Sequence, residues 1–383
     1  MQRAFLPNPL QARAHLAFVC WNTFVRFVTH PLTWIRRVVP CGRRALVAGA
    51  LDTLGLLDRF LWLRAKLRLP VLSVFTYHRI AELSDVAELD PGVADVSARE
   101  FEEQLAVIKT HCTVVSLRDV RLFTKGRKLP PNPVMVAFDD GYRDNHDVAL
   151  PLLERAGVAA TFFIATEYPD RGRLFWWDRV ALLMHRCRRA RVELSYPAML
   201  VLEPARDPIA AAALVCRTIK RTSGLDIGRM WDEIERATGV SIDLGEERAL
   251  AARTIMDWRQ IRALRRAGMD VQSHSHSHRV LQTLSPDEAA RDLARSRRVL
   301  TEALDDAVHA VAYPVGYRLS GAFHRAVHEA GFELGFTNNS GLCMLSSFDP
   351  LNFPRIAMDR GQIGALFKLK LLVGQRPGCR SIL

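Results

Sequence analysis

The stretch Val134-Met135-Val136-Ala137-Phe138-Asp139-Asp140-Gly141-Tyr142 decides how the chain is read. Five apolar residues run straight into two adjacent carboxylates and a glycine. A run of this kind reads as a buried strand. Gly141 has no Cβ and allows the sharp turn that must follow. In open sheets and closed barrels alike, ligands gather beyond the carboxyl ends of parallel strands. Two acids placed there cannot both be buried and bare; one needs a positive partner, most simply a metal ion. Taken alone, Asp-Asp-Gly also reads as an ordinary turn.

Working outward, residues 71–77 read as the first core strand, and His78 at its end is a candidate site residue or a hydrogen-bonded structural one. Ser97 and Glu100 form a capping box for an amphipathic helix over 97–110. Residues 112–117 read as a short strand. Beyond the central turn, residues 145–156 read as a helix ending at Gly157, with Pro151 marking a kink or a new first turn. Residues 158–165 are the next buried strand. Strand, helix, strand in that order argues for a parallel α/β layout.

Residues 166–255 break the alternation. They open with arginines around Phe175-Trp176-Trp177-Asp178 and continue through helical stretches at 201–219 and 246–253. This reads as a mainly helical insertion or lid. Trp176 and Trp177 either pack it on the core or face a sugar ring. From residue 256 to about 360 the alternation returns: a helix over 254–267, strands near 269–272, 308–314 and 334–337, and a long helix from Ser285 to about Leu304, again with a capping box. The catalytic domain is thus expected to be discontinuous, 70–165 and 256–360, followed by a tail over 361–383 that closes the fold or touches a membrane.

Three alternating histidines, His274, His276 and His278, end the 269–272 strand. One acid and two histidines make a sound ligand set for a divalent metal with an open position. His274 and His278 share a side in either a helical or an extended segment; His276 joins them only if the chain is extended. The set expected is Asp140, His274 and His278, with Asp139 as the base that takes a proton from water. The bland alternative is a polar Ser/His loop.

Phe138-Asp139-Asp140-Gly141, then Ser273-His274-Ser275-His276-Ser277-His278, then Tyr313-Pro314-Val315-Gly316, resemble in order three motifs of the polysaccharide deacetylase family, carbohydrate esterase family 4 with the NodB homology domain. The resemblance covers roughly residues 71–165 and 256–358. It implies a distorted (β/α) barrel, a divalent metal that is usually zinc, and hydrolysis of an acetyl group, a carbon–nitrogen bond in the N-acetyl case, on a sugar polymer. It makes Asp139 the base, Asp140, His274 and His278 the ligands, and Ser275 a support for the ligand geometry, and excludes His276 as a ligand. Tyr142 is expected to offer a backbone N–H to the oxyanion, with Tyr313 and Pro314 shaping the site. Tyr77-His78-Arg79, Phe353-Pro354-Arg355-Ile356 and the Trp176/Trp177 segment resemble a branch acting on exported or lipid-linked polysaccharides. Two departures stand out. Ala312 occupies the position of the family's orienting arginine, and residues 337–341 lack its late histidine. Arg355 is the stand-in for the first and His78 for the second. A weakly active or inactive sugar-binding module or scaffold is the alternative.

Composition bounds the rest. The chain has 383 residues, 49% hydrophobic and 25% charged, enough for a sizeable core. Its net charge of +12 permits an acidic polymer or anionic lipid as partner. No zinc-finger spacing or stacking platform accompanies that charge, so nucleic acid is not expected. Seven widely spaced cysteines form no disulfide framework. Residues 1–69 are basic and partly amphipathic, with no secretory cleavage pattern and no run long enough to span a bilayer. Their aromatic residues and arginines suit either an acidic membrane surface or packing on the domain. The expected place is cytoplasmic or peripheral at the inner membrane face; the sequence sets no oligomeric state.

Overall fold

The structure, a computed structural model, describes residues 44–374. Expectations for residues 12–30, for Arg36, Arg37 and Arg43, and for Cys20, Cys41 and Cys379 lie outside the described residues.

The described residues form eleven strands: β1 (Val71–Tyr77), β2 (Thr113–Val114), β3 (Pro133–Phe138), β4 (Ala160–Ile164), β5 (Val192–Leu194), β6 (Leu200–Leu202), β7 (Asp270–Ser273), β8 (Ala310–Ala312), β9 (Leu334–Ser340), β10 (Cys343–Met344) and β11 (Phe353–Ala357). Seven of them, in the order β1, β11, β9, β8, β7, β4, β3, are parallel neighbours, and β1 pairs with β3 to close the ring. This is the expected distorted (β/α) barrel.

Why β3 is apolar throughout follows from closure: both faces of the strand are covered. Val134, Val136 and Phe138 pack outward with Phe75, Phe162, Val271 and Val311. Met135 and Ala137 belong to a separate cluster with Leu72, Val74, Phe163, Ala312, Phe336 and Phe353. The second set is the barrel interior. Because side chains alternate along a strand, the same parity carries His78, Asp139, His274, Asn338 and Arg355 inward at or near the mouth.

Helices surround the ring. They are α1 (Arg44–Thr53), α2 (Leu56–Lys66), α3 (Ala98–His111), α4 (Leu117–Thr124), α5 (Leu150–Ala156), α6 (Trp176–Arg186), α7 (Pro208–Arg221), α8 (Ile227–Thr238), α9 (Leu244–Thr254), α10 (Trp258–Arg266), α11 (Pro286–Leu304), α12 (Gly321–Glu329) and α13 (Gly364–Val373). The capping boxes at Ser97/Glu100 and Ser285/Glu288 both form. Pro151 stands in the first turn of an α-helix that follows a π-turn over Asn145–Ala149, the new first turn that was one of its two expected roles. The 112–117 segment is a two-residue strand; Ser116 and Asp119 cap α4, which the strand reading hid. The 254–267 helix begins instead at Trp258, capped by Asp257 and Gln260.

The insertion has its own apolar core of Phe175, Trp177, Leu182, Val215, Met230 and Ile234, joined to the barrel through Tyr142 and Ala165. It holds α6 to α9 and a hairpin of β5 and β6. Residues 200–202 are therefore strand, and the helix expected from 201 starts at Pro208, where Asp207 accepts from the N–H of Ala210. α2 buries Leu57 and Leu61 in the main core, and α13 buries Phe367 against Phe75 at 5.1 Å. The described part of the tail, residues 361–374, thus packs on the barrel. Among the described residues no helix is long and apolar enough to cross a membrane.

Candidate active site

Asp140, His274 and His278 meet at the carboxyl end of β3 and β7, with one ligand atom from each inside a sphere of 4.8 Å separation. Asp140 Oδ1 lies 3.3 Å from His274 Nε2 and 3.1 Å from His278 Nε2. Ligand atoms about 2.0–2.1 Å from a tetrahedral ion stand about 3.3–3.4 Å apart, so the spacing suits a small divalent cation between them. Asp140 Oδ1 is buried and makes no well-formed hydrogen bond, as an oxygen reserved for an ion would be. The donor set of one carboxylate and two imidazoles suits zinc and its neighbours.

The backbone around these ligands is held in conformations that side chains rarely adopt. Asp140 has φ 73°, Ser275 65° and His278 54°. Such residues persist only where surroundings over-determine them, and they collect at functional sites. Gly141, at φ 104°, makes the turn after the acids, and its N–H donates to the Asp139 carbonyl. Ser275 fastens the second turn: its Oγ accepts from the His278 N–H at 3.1 Å, while its own N–H donates to Ser273 Oγ. His276 turns away, its Nδ1 2.9 Å from Thr166 Oγ1.

The imidazoles are disposed so that they could hold a metal ion. His274 Nδ1 is 2.8 Å from the Ala312 carbonyl, so it carries the proton and leaves Nε2 with a lone pair toward the site. His278 Nδ1 is buried without a partner; its ring rests instead against Trp177, with centroids 4.4 Å apart. Burial pushes the His278 pKa down despite the nearby Asp140, which favours the neutral, metal-binding form. Burial would raise Asp140, but the two imidazoles hold it well below the usual carboxylate range.

Asp139 faces the same space from the other side. Arg355, fully buried on β11, grips it with Nη1 to Oδ1 at 2.7 Å and Nη2 to Oδ2 at 2.8 Å. The guanidinium is fixed in turn by the Thr337 carbonyl at 2.9 Å and Asn338 Oδ1 at 2.5 Å. Burial alone would raise the Asp139 pKa; the charge of Arg355, then of His274, and the Arg355 hydrogen bonds lower it. At the β1 end, His78 Nδ1 lies 3.0 Å from Asp95 Oδ2, which also accepts the His78 backbone N–H. Burial opposes charge on His78, yet Asp95, with Asp140 and Asp139 behind it, raises its pKa to about 9.

The model of the polysaccharide deacetylase family matches residues 126–196 and 224–335. The chain belongs to the polysaccharide deacetylase family. It is accordingly a hydrolase of carbon–nitrogen bonds other than peptide bonds. Its fold is similar to that of the Streptococcus pyogenes deacetylase PplD in complex with acetate, at 16% identity over 78% of this chain and 96% of that one, with a TM-score of 0.51. It is also similar to a polysaccharide deacetylase from Bacillus cereus, at 15% identity over 79% and 69%, with a TM-score of 0.50. No curated protein matches the chain.

The deacetylase motifs are thus spread over β3, β7 and the β8 end. Ala312 contributes only its carbonyl, while the guanidinium that meets Asp139 comes from Arg355. Tyr313 is buried, its hydroxyl donating to the Leu351 carbonyl at 2.7 Å, and Pro314 and Val315 follow as the turn, with Val315 at φ 58°. Tyr142 is buried as well. Its hydroxyl donates to Asp178 Oδ2 at 2.9 Å and accepts from Trp177 Nε1 at 2.6 Å, leaving only its backbone for substrate. Trp177 packs flat on Phe175 at 4.7 Å, so it joins insertion to core. Trp176 is half-buried and donates through Nε1 to the His278 carbonyl at 3.3 Å. Asp95, Asn338 and Asp178 were not among the sequence candidates. Nothing in their local sequence marks them; each acts through a partner brought by another element.

Proposed function

We propose that the chain removes N-acetyl groups from a polysaccharide or lipid-linked saccharide, using a divalent ion, zinc the expected one, held by Asp140, His274 and His278. The observation that carries this reading is the pairing of that ligand group with a buried Asp139 clamped by Arg355. When bound, a divalent ion supplies Lewis acidity to the acetyl carbonyl and to water.

The chain's own groups supply the proton movements. Asp139 is ionised at neutral pH and each oxygen keeps a lone pair beyond its Arg355 bond, so it accepts the proton of the attacking water. Arg355 acts as a positioning residue, keeping that carboxylate charged and aimed. The backbone N–H of Tyr142 is suited to the oxyanion, where charge appears only as water adds. His78, protonated and oriented by Asp95, donates to the nitrogen as the C–N bond breaks. Water's oxygen ends on the acetyl carbon, giving acetate and a free amine.

The test is metal content and acetate release measured side by side on N-acetylglucosamine oligomers. Loss of both in Asp140→Ala, with metal retained and rate lost in Asp139→Asn, supports these roles. Sugar binding with no acetate release from either the wild type or Asp139→Ala on a broad panel would favour the module reading that Ala312 raises. Peripheral contact with the inner membrane face is part of the proposal, supported by the basic amino segment and by Leu46, Leu54 and Trp62, exposed on α1, α2 and the turn between them. Cell fractionation before and after a salt wash tests it; recovery wholly in a secreted fraction would contradict it.

A further inference from the structure

A cavity of about 330 Å³ lies over the ligand group, floored by Asp140, His274 and His278. Its far wall is α7. Ile209, Ala213, Cys216, Arg217 and Lys220 line it, a spacing that puts one face of the helix toward the metal ligands. Arg221 joins them at the last turn. This helix falls wholly in residues 197–223, which the family model does not match.

Arg217 and Arg221 are exposed at the rim of the cavity and Lys220 is half-buried. Arg217, Lys220 and Arg221 form no ion pair with a described carboxylate. The only acids lining the cavity are Asp140, committed to the ligand group, and Asp90, whose Oδ1 accepts the Gly92 N–H. Lysine and arginine in a last turn complement the helix dipole, which accounts for two cations but not for a third, Arg217, one turn earlier on the same face. Lys220 is half-buried, its ammonium 5.7 Å from the centre of the Trp176 ring. It also lines a second cavity of about 290 Å³ on the other side of His278, where Arg279 stands. A neutral acetylated sugar needs none of these charges. Three cations on one wall of a cleft attract an anion that enters it.

We propose that this face of α7 binds an anionic group, a phosphate or a carboxylate, carried by the saccharide beside the N-acetyl group that is cleaved. The proposal rests on the deacetylase reading and names the substrate class for it: an acidic saccharide.

The test uses the zinc-loaded chain and three probes: a neutral N-acetylglucosamine trisaccharide, the same trisaccharide carrying a phosphate monoester, and one in which glucuronate replaces a neighbouring sugar. Acetate release gives kcat/KM, and calorimetry on Asp139→Asn gives affinity without turnover. At least one anionic probe should be preferred by about tenfold or more, the worth of one charge-assisted hydrogen bond. Which arm wins tells phosphate from carboxylate. The preference should shrink with added salt, vanish in Arg217→Gln/Lys220→Gln, and survive in Arg206→Gln, an exposed arginine ahead of the helix. Equal treatment of all three probes, or a preference that survives the double variant, would overturn the proposal. Anion preference in calorimetry with no acetate release from any probe would support this site and sink the deacetylase reading instead.

Discussion

The barrel and the insertion reach the same few side chains by different routes. Barrel residues arrive by parity: alternate positions on β1, β3, β7, β9 and β11 point inward, and where the apolar interior ends, His78, Asp139, His274, Asn338 and Arg355 begin. His274 is held by the carbonyl of Ala312 on the neighbouring strand, Asp139 by Arg355 two strands away across β1, and His78 by Asp95 in the segment before α3. The insertion reaches in from the side, through Trp177 on His278 and Asp178 on Tyr142. One region holds the groups proposed for the chemistry and the other backs and walls them. A mature site places reacting groups on rigid strands and leaves the variable wall to an inserted segment.

The largest effect should come from the ligand group. Asp140→Ala should lose metal and acetate release together, whereas Asp139→Asn should keep the metal and lose about 10²–10⁴ in kcat, the usual worth of positioned proton transfer. Elemental analysis beside the rate separates the two; metal lost from the Asp139 variant and kept in the Asp140 variant would reverse their roles.

Next comes Arg355→Ala. It strands a buried carboxylate, and removing one partner of a buried pair costs about 3–5 kcal/mol. Arg355→Lys should fold better yet leave most of the rate deficit, since one ammonium cannot make both bonds. Denaturant midpoints and kcat measure these. A fully active Arg355→Lys would show that charge alone suffices.

The pH profile sharpens the barrel side further. His78 has a folded pKa of about 9, above its unfolded value. Its contribution to stability is fully present below the unfolded value of about 6.5 and is lost as pH rises through about 9. In its proposed role of proton donor it would impose the same upper limit on kcat. Asp95→Asn should move that limit down. Asp139 runs the opposite way: its lowered pKa means that its contribution is present above the unfolded value of about 3.9 and disappears only as pH falls toward the folded one. An alkaline limb unmoved in Asp95→Asn would remove His78 from the reaction.

On the insertion side, Asp178→Asn keeps the shape and weakens the hold on Tyr142. About 1–2 kcal/mol of stability and a modest rate loss are expected. A collapse as large as that of Arg355→Ala would break the division between the two regions. The smallest effect belongs to His276→Ala, because its ring faces Thr166 rather than the ligands; metal content and rate should stay near wild type.

Much of this was legible without coordinates because local rules apply along the barrel. A strand covered on both faces must be apolar for its whole length, so β3 announces itself, and the acids after it mark its exit. The capping boxes of α3 and α11 are complete within four residues. Helix α4 was hidden because Leu117 reads equally well as the end of a strand, and only the Ser116–Asp119 cap tells otherwise. The insertion resisted for the opposite reason. Its helices bury residues against one another and Tyr142, and among the described residues β5 pairs only with β6, so neither period is imposed by a neighbouring sheet.

The sequence by itself determined a parallel α/β layout and the residue types gathered at its strand ends, since alternation and turn chemistry act over a few residues; the barrel is implied only by the family resemblance, and β11, with Pro354 inside it, does not read as a strand. Only the tertiary structure decided which of these groups touch. Asp139 and Arg355 are 216 residues apart, and Ala312 and Arg355 lie on strands that both face the interior. Ring closure brings β11 beside β1 and β1 beside β3, and so sets the guanidinium on the carboxylate. Closure is a long-range constraint, and no local pattern carries it.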